Sequence, residues 1–242
     1  MAQYQMAIGI YLQMGKGSMA GNASKKVGEM CEAAEDFENA ISAYSQSIDF
    51  FEMDSRPSAA GSCREKVAML SAELGKYDVS ASAYDALGRE SLTTNLGKFN
   101  AKKWCAPHAR ARARARGPRA LTARRARARF TNALFCTLAR GDTVAARSRM
   151  AEYATLDYTF EGTREWVLVE ALVKACEEYD TQGFADGCAE YDKIKKFDPW
   201  TTRVLLAVKR SIDSGAADDL PPPEGDDGVE GAAEDMDNLD LT

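Results

Sequence analysis

Residues 18–52 read SMAGNASKKVGEMCEAAEDFENAISAYSQSIDFFE, and residues 58–92 read SAAGSCREKVAMLSAELGKYDVSASAYDALGRESL. At a constant offset of forty positions the two stretches match. Ser18-Met19-Ala20-Gly21 returns as Ser58-Ala59-Ala60-Gly61, and Lys26-Val27 as Lys66-Val67. Phe37, Ala40 and Tyr44 fall on Tyr77, Ser80 and Tyr84, and Ile10-Tyr11 falls on Phe50-Phe51. Within a unit, Ala20, Ala23, Val27 and Met30 recur at helical spacing over 18–33. Phe37, Ile41, Tyr44, Ile48 and Phe51 form a second stripe over 36–52, which Asp36 is placed to cap. The small residues Ala20, Gly21, Ala59, Ala60 and Gly61 predict close approach of neighbouring helices. A repeat of this length built from helix pairs predicts an all-α, TPR-like stack of antiparallel helical hairpins over 1–105. One such unit cannot bury its apolar face alone, so neighbours stack and leave an extended surface for a partner.

Outward from the repeat the pattern changes. Residues 130–156 predict a helix pair broken at Gly141-Asp142, and Thr163 is placed to cap a helix reaching about Tyr179, with Val169, Leu172 and Cys176 inward. Residues 184–196 predict another helix, and Asp198-Pro199 opens a last one whose face is Trp200, Val204, Leu205, Val208 and Ile212. Without the forty-residue period, 130–212 reads as a C-terminal helical bundle closing the stack. From 213 onward Gly, Pro and acids dominate, which predicts a disordered acidic tail.

Charge is unevenly distributed. The net charge of the 242-residue chain is −6. Residues 106–129 hold nine arginines and no acid, so without that block the balance is −6 − 9 = −15. Residues 213–242 hold eleven acids and no Lys or Arg. The Ala-Arg alternation of 106–129 has no helical stripe to bury, so the segment is expected to be disordered and its deletion to leave the melting temperature equal or higher. Its composition resembles translated non-coding repeat, and a retained intron is the expectation. No aromatic residue interleaves the arginines to stack on bases, so no nucleic-acid partner is expected.

Several function classes are excluded on composition. No run of apolar residues approaches a membrane span, and the N-terminus lacks the basic start and apolar block of a signal peptide. The six cysteines include no C-x-x-C pair and follow neither a disulfide framework nor zinc spacing, so reduced thiols and a cytoplasmic location are expected. Gly15-Lys16-Gly17-Ser18 lacks the upstream glycine and the Ser or Thr after Lys that a phosphate loop needs. The lone His108 leaves a cysteine or serine nucleophile without a histidine base. Neither an enzyme nor a cofactor is expected.

A set of ordered stretches resembles the alpha-SNAP family, the soluble NSF attachment proteins. They are Ala40-Ile41-x-x-Tyr44-x-Gln46-Ser47-x-Asp49-Phe50-Phe51, Cys63-x-x-Lys66-Val67-Ala68 and Lys98-Phe99-x-Ala101-Lys102. Gly162-Thr163-Arg164-Glu165, Glu190-Tyr191-Asp192 and Asp198-x-Trp200-x-Thr202-x-x-Leu205-Leu206-x-x-Lys209 follow, and the chain ends Asp240-Leu241-Thr242. The resemblance covers 4–105 and resumes at about 130. It lacks a counterpart to the family's N-terminal helices and their membrane-touching apolar loop, so weak membrane attachment is expected.

The resemblance implies an adaptor that binds the assembled SNARE four-helix bundle and recruits and stimulates an NSF-type hexameric ATPase for SNARE disassembly in vesicle trafficking. Its membrane contact would be indirect: cytoplasmic, and peripheral through SNAREs. The runner-up is a generic TPR-like interaction scaffold for another complex. On the family pattern Lys102 contacts the acidic SNARE surface, and neighbouring Lys25, Arg64 and Lys66 supply charge where Asn22 and Ser62 are neutral. Asp142, Glu177 and Glu178 match positions facing the ATPase, as does Arg164, and terminal Leu241 matches the residue needed for stimulation.

Overall fold

The computed structural model of the chain describes residues 2–97 and 118–218. Among the described residues there are ten α-helices and no strand. They are α1 Ala2–Gln13, α2 Gly17–Ala33, α3 Phe37–Met53, α4 Pro57–Glu73, α5 Tyr77–Gly97, α6 Pro118–Ala139, α7 Thr143–Leu156, α8 Arg164–Glu177, α9 Thr181–Ile194 and α10 Pro199–Asp218.

The turns of the first half follow a half-period of the repeat. Gly15, Glu35, Ser55 and Gly75 all have positive φ, at 66°, 59°, 54° and 72°. The residue after each one donates its N–H back across the helix end: Lys16 to Tyr11, Asp36 to Cys31, Arg56 to Phe51 and Lys76 to Ser71, at 2.8–2.9 Å. This left-handed closure satisfies carbonyls that the last helical turn leaves unpaired, and it reverses the chain in two or three residues. Gly141 (φ 84°) and Tyr179 (φ 51°) close α6 and α8 in the same way. The helix starts differ. Asp36 caps α3 through Asn39 N–H, Thr163 caps α8 through Trp166, and Asp180 caps α9 through Gly183. Lys16 cannot cap α2, and Asp54, at the end of α3, accepts from Ser18 N–H instead.

Helices α2 and α3 approach closely because glycine leaves room for rings. A Cβ at Gly21 would lie 2.9 Å from the Phe51 ring, and one at Gly28 would lie 2.9 Å from Tyr44. Ser24 donates to Ala43 O and Ser47 to Gly21 O, both at 2.8 Å, so the buried hydroxyls are satisfied across the same interface. Gly61 plays no such part: a Cβ there would meet nothing within 4 Å.

Two cores share α4. Ala60, Cys63 and Leu70 pack with Val27, Ala40, Tyr44 and Phe51, whereas Ala68 and Ala72 face Tyr84, Phe130 and the C-terminal helices. Trp200 of α10 docks on this junction. Its indole donates to Met69 O at 3.1 Å, and its ring lies 5.5 Å from Tyr84. Phe130 stacks on Tyr153 at 4.1 Å and lies 6.5 Å from Phe160, which meets Trp166 edge-on at 5.4 Å. These rings tie α6, α7 and α8 together and supply area burial beyond that of aliphatic contacts.

The expectation of disorder across 106–129 is corrected for its second half. Helix α6 begins at Pro118, and Ala126, Phe130, Ala133 and Leu134 form its buried face. Arg129 is 9% exposed. It donates to Leu87 O at 3.1 Å, Ser91 Oγ at 2.6 Å and Glu65 at 3.0 Å. Arg127 faces Asp157 at 3.5 Å. Likewise the last helix continues past 212 to Asp218. The rest of the arginine block and the acidic run after 218 lie outside the described residues.

Candidate functional site

Of the SNARE-side candidates, Lys25 lies on α2, and Arg64 and Lys66 lie on two faces of α4. Residues two apart on a helix point about 200° apart. Lys66 therefore reaches back to Glu32 of α2 at 2.6 Å, while Arg64 reaches Glu52 of α3 and Glu90 of α5, the latter at 3.2 Å. Glu32 also accepts from the buried Tyr44 hydroxyl at 2.8 Å. Burial first, and that acceptor second, push the Tyr44 hydroxyl far above the ordinary phenol range. Lys26 pairs with Glu29 at 2.5 Å, and its hydrogen bond, with Lys25 and Lys66 nearby, holds the Glu29 carboxyl below its ordinary value. The structure thus brings Lys25 and Lys66 together around Glu29 and Glu32 and separates Arg64 from them. Lys102 lies outside the described residues.

Three of the ATPase-side candidates, Asp142, Glu177 and Glu178, lie at one end of the bundle. The α6–α7 and α8–α9 turns meet the C-terminal part of α10 around a cleft of roughly 280 Å³ lined by Leu138, Gly141, Cys176, Glu177, Tyr179 and Ile212. Asp142 caps α7 through Ala145 N–H at 2.7 Å and accepts from Arg140 at 2.5 Å. The Ala145 N–H, then Arg140, hold its carboxyl below the usual range. Glu177 accepts Arg147 Nε and Nη2 at 2.5 Å each, a two-pronged pair that lowers its pKa. Glu178 ends α8 with Lys174 at 3.8 Å, and Asp180 caps α9 at 2.9 Å. The four carboxylates sit on two adjoining turns, the outer two of them serving as helix caps.

Arg164 is not part of this edge. It opens α8 while Glu177 closes it, about 20 Å away along fourteen residues of helix. Arg164 instead lines a groove of roughly 210 Å³ with Val167, Glu190, Tyr191 and Ile194. Leu241 lies outside the described residues. Sequence reasoning missed Arg147 and Tyr179. Arg147 is thirty positions from Glu177, and only the fold pairs them. Tyr179 occupies a turn position where glycine is the readable signal.

Among the described residues no group of three or more His, Cys, Asp or Glu side chains can hold a metal, and no helix is long and apolar enough to cross a membrane. Burial pushes the Cys176 thiol up to about 12 and those of Cys136 and Cys188 to about 11, which leaves them protonated at neutral pH.

A stack of helical hairpins closed by a helical bundle is the architecture of a TPR-like α-solenoid. The family model described as "Soluble NSF attachment protein, SNAP" matches residues 1–105 and 112–213, and the chain belongs to that family. The match resumes at 112, which moves the far edge of the unmatched segment from about 130 to 111. An alpha-soluble NSF attachment protein of Vitis vinifera is 31% identical over 208 residues, 86% of this chain and 63% of that protein. Those of Dictyostelium discoideum and Homo sapiens are 27% and 28% identical, over 85% and 88% of this chain and 62% and 64% of theirs. The chain thus spans a little under two thirds of the length of these curated relatives.

Proposed function

We propose that this chain is an adaptor that holds an assembled SNARE four-helix bundle against its hairpin stack and recruits and stimulates an NSF-type hexameric ATPase. The process served is SNARE disassembly in vesicle trafficking, and membrane association is peripheral, through the SNAREs. One observation carries this reading: turns 140–142 and 177–180, far apart in sequence, adjoin one cleft and present Asp142, Glu177, Glu178 and Asp180 together. Arg140, Arg147 and Lys174 pair with three of these carboxylates, so the edge presents a patterned set of charges, and complementarity to such a pattern sets encounter rate and register with a partner. The relatives' names, as NSF attachment proteins, support the choice of partner. Lys25, Lys66, Lys102 and Arg64 are assigned to the SNARE side, Arg164 and Leu241 with the acidic edge to the ATPase.

The two halves of the proposal fail separately. Lys102→Glu sets an acid against an acidic bundle and weakens SNARE capture, most at low salt, where screening is least. Leu241→Ala leaves SNARE capture unchanged and lowers stimulated ATP hydrolysis. The assay is SNARE pull-down with ATPase turnover for both variants. If both behave as the parent, a scaffold for some other complex is the better account.

A further inference from the structure

Tyr179 is the residue the fold has least reason to keep where it is. Its φ of 51° lies in the left-handed region, which disfavours side chains larger than Asn or Asp. The equivalent closures use glycine at Gly15, Gly75 and Gly141 and polar residues at Glu35 and Ser55, so Tyr179 is the one of the six that places an aromatic ring there. Tyr179 is 48% exposed at the rim of the cleft between the α6–α7 turn and α10. It therefore gains little from core burial and costs backbone freedom. It also interrupts the acidic run Glu177-Glu178-Tyr179-Asp180, so its ring is flanked by carboxylates on both sides in sequence.

We infer that Tyr179 is the aromatic anchor of the acidic edge and takes an arginine side chain of the ATPase's facing surface against its ring. This inference rests on the adaptor reading above. A planar guanidinium suits such a place: it stacks on an aromatic face while neighbouring carboxylates accept its N–H groups. Glu177 is already occupied by Arg147, whereas Glu178 pairs only at 3.8 Å with exposed Lys174 and Asp180 caps α9 through one of its two oxygens, so these neighbours of Tyr179 in sequence are the carboxylates left to receive the incoming charge. Rim charges mainly steer approach, while a tyrosine at an interface holds the complex together once formed. The cleft beside the ring, roughly 280 Å³, admits the side chain's aliphatic stem.

The test is the affinity of the full chain for the immobilised NSF-type ATPase, measured for Tyr179→Phe, Tyr179→Asn and Tyr179→Gly alongside thermal melting. Phe keeps the ring and stays within about twofold of the parent. Asn and Gly accept the left-handed turn without the ring, so they melt no lower than the parent yet bind roughly tenfold more weakly, chiefly through faster dissociation. Parent-like affinity in both Asn and Gly variants overturns the inference. Glu178→Lys is the companion. If it weakens binding while Tyr179→Gly does not, the aromatic role alone is lost. If neither weakens binding, the assignment of this edge to the ATPase fails with it.

Discussion

Glu35 and Ser55 hold the same left-handed turn as Gly15 and Gly75, one helix apart along the stack. A residue with a Cβ loses about 1 kcal/mol there relative to glycine, part of which glycine's freedom in the unfolded chain takes back. Ser55 is exposed, so its side chain contributes little to offset the strain. Ser55→Gly is therefore expected to raise stability by about 0.5 kcal/mol, read as a shifted midpoint in urea with an unchanged slope. A lowered midpoint would mean that the turn is held by its side chain rather than tolerated by its backbone. Half of these positions were legible in the sequence as glycines. Glu35, Ser55 and Tyr179 were not, because a left-handed backbone leaves no readable mark on the identity of a residue that carries a Cβ.

At the scale of the element, α6 carries the sharpest difference between sequence and structure. The Ala-Arg alternation reads as a period of two, which no helix can bury. Yet Ala126, Phe130, Ala133 and Leu134 recur at helical spacing, and the stripe is narrow because alanine is small. Its width is completed by Arg129, whose stem is buried and whose guanidinium finds Leu87, Ser91 and Glu65. The forty-residue repeat was legible because Ala40 and Tyr44 and their counterparts Ser80 and Tyr84 are buried in both copies, with Phe37 and Tyr77 half-buried against them, and such positions accept few alternatives. Arg129→Ala is expected to cost about 2–3 kcal/mol, since it empties a buried site and removes the guanidinium that donates to Glu65, Ser91 Oγ and Leu87 O. Exposed Arg124→Ala and Arg125→Ala stay within about 0.5 kcal/mol of the parent. Denaturation of the three variants checks this. Equal small losses would restore the view that the whole block is unneeded, and with it the expected neutrality of deleting 106–129.

The whole molecule joins two cores through α4 and the Trp200 contact, and its surface carboxylates set its response to acid. Glu29, Asp54, Asp142, Glu177 and Asp192 all have pKa values lowered in the folded chain, through hydrogen bonds from Lys26, Ser18, Ala145, Arg147 and Lys196 respectively. A lowered folded pKa means that the unfolded chain binds protons first. The stabilisation is complete above the unfolded values of 3.8 for Asp and 4.5 for Glu, and is lost as pH falls through the folded ones. The melting temperature should be flat from about pH 8 to 5 and fall below about 4. A melting temperature that rises on acidification would contradict these pairs.

The candidate site was legible as a list of residues and not as a place. Asp142 and Glu177 could be named from their neighbours in the chain. That they adjoin one cleft depends on how the α6–α7 and α8–α9 turns pack beside α10, whereas the helix length between Arg164 and Glu177 follows from α8 itself. The central claim is that the chain bridges two partners, with the acidic edge facing the second. The most direct measurement is retention of the NSF-type ATPase on immobilised SNARE bundle as this chain is added. Retention should rise with the chain, and Glu177→Lys combined with Glu178→Lys should abolish it while the variant itself stays on the bundle. ATPase retained equally without the chain, or unaffected by that reversal, would contradict the account.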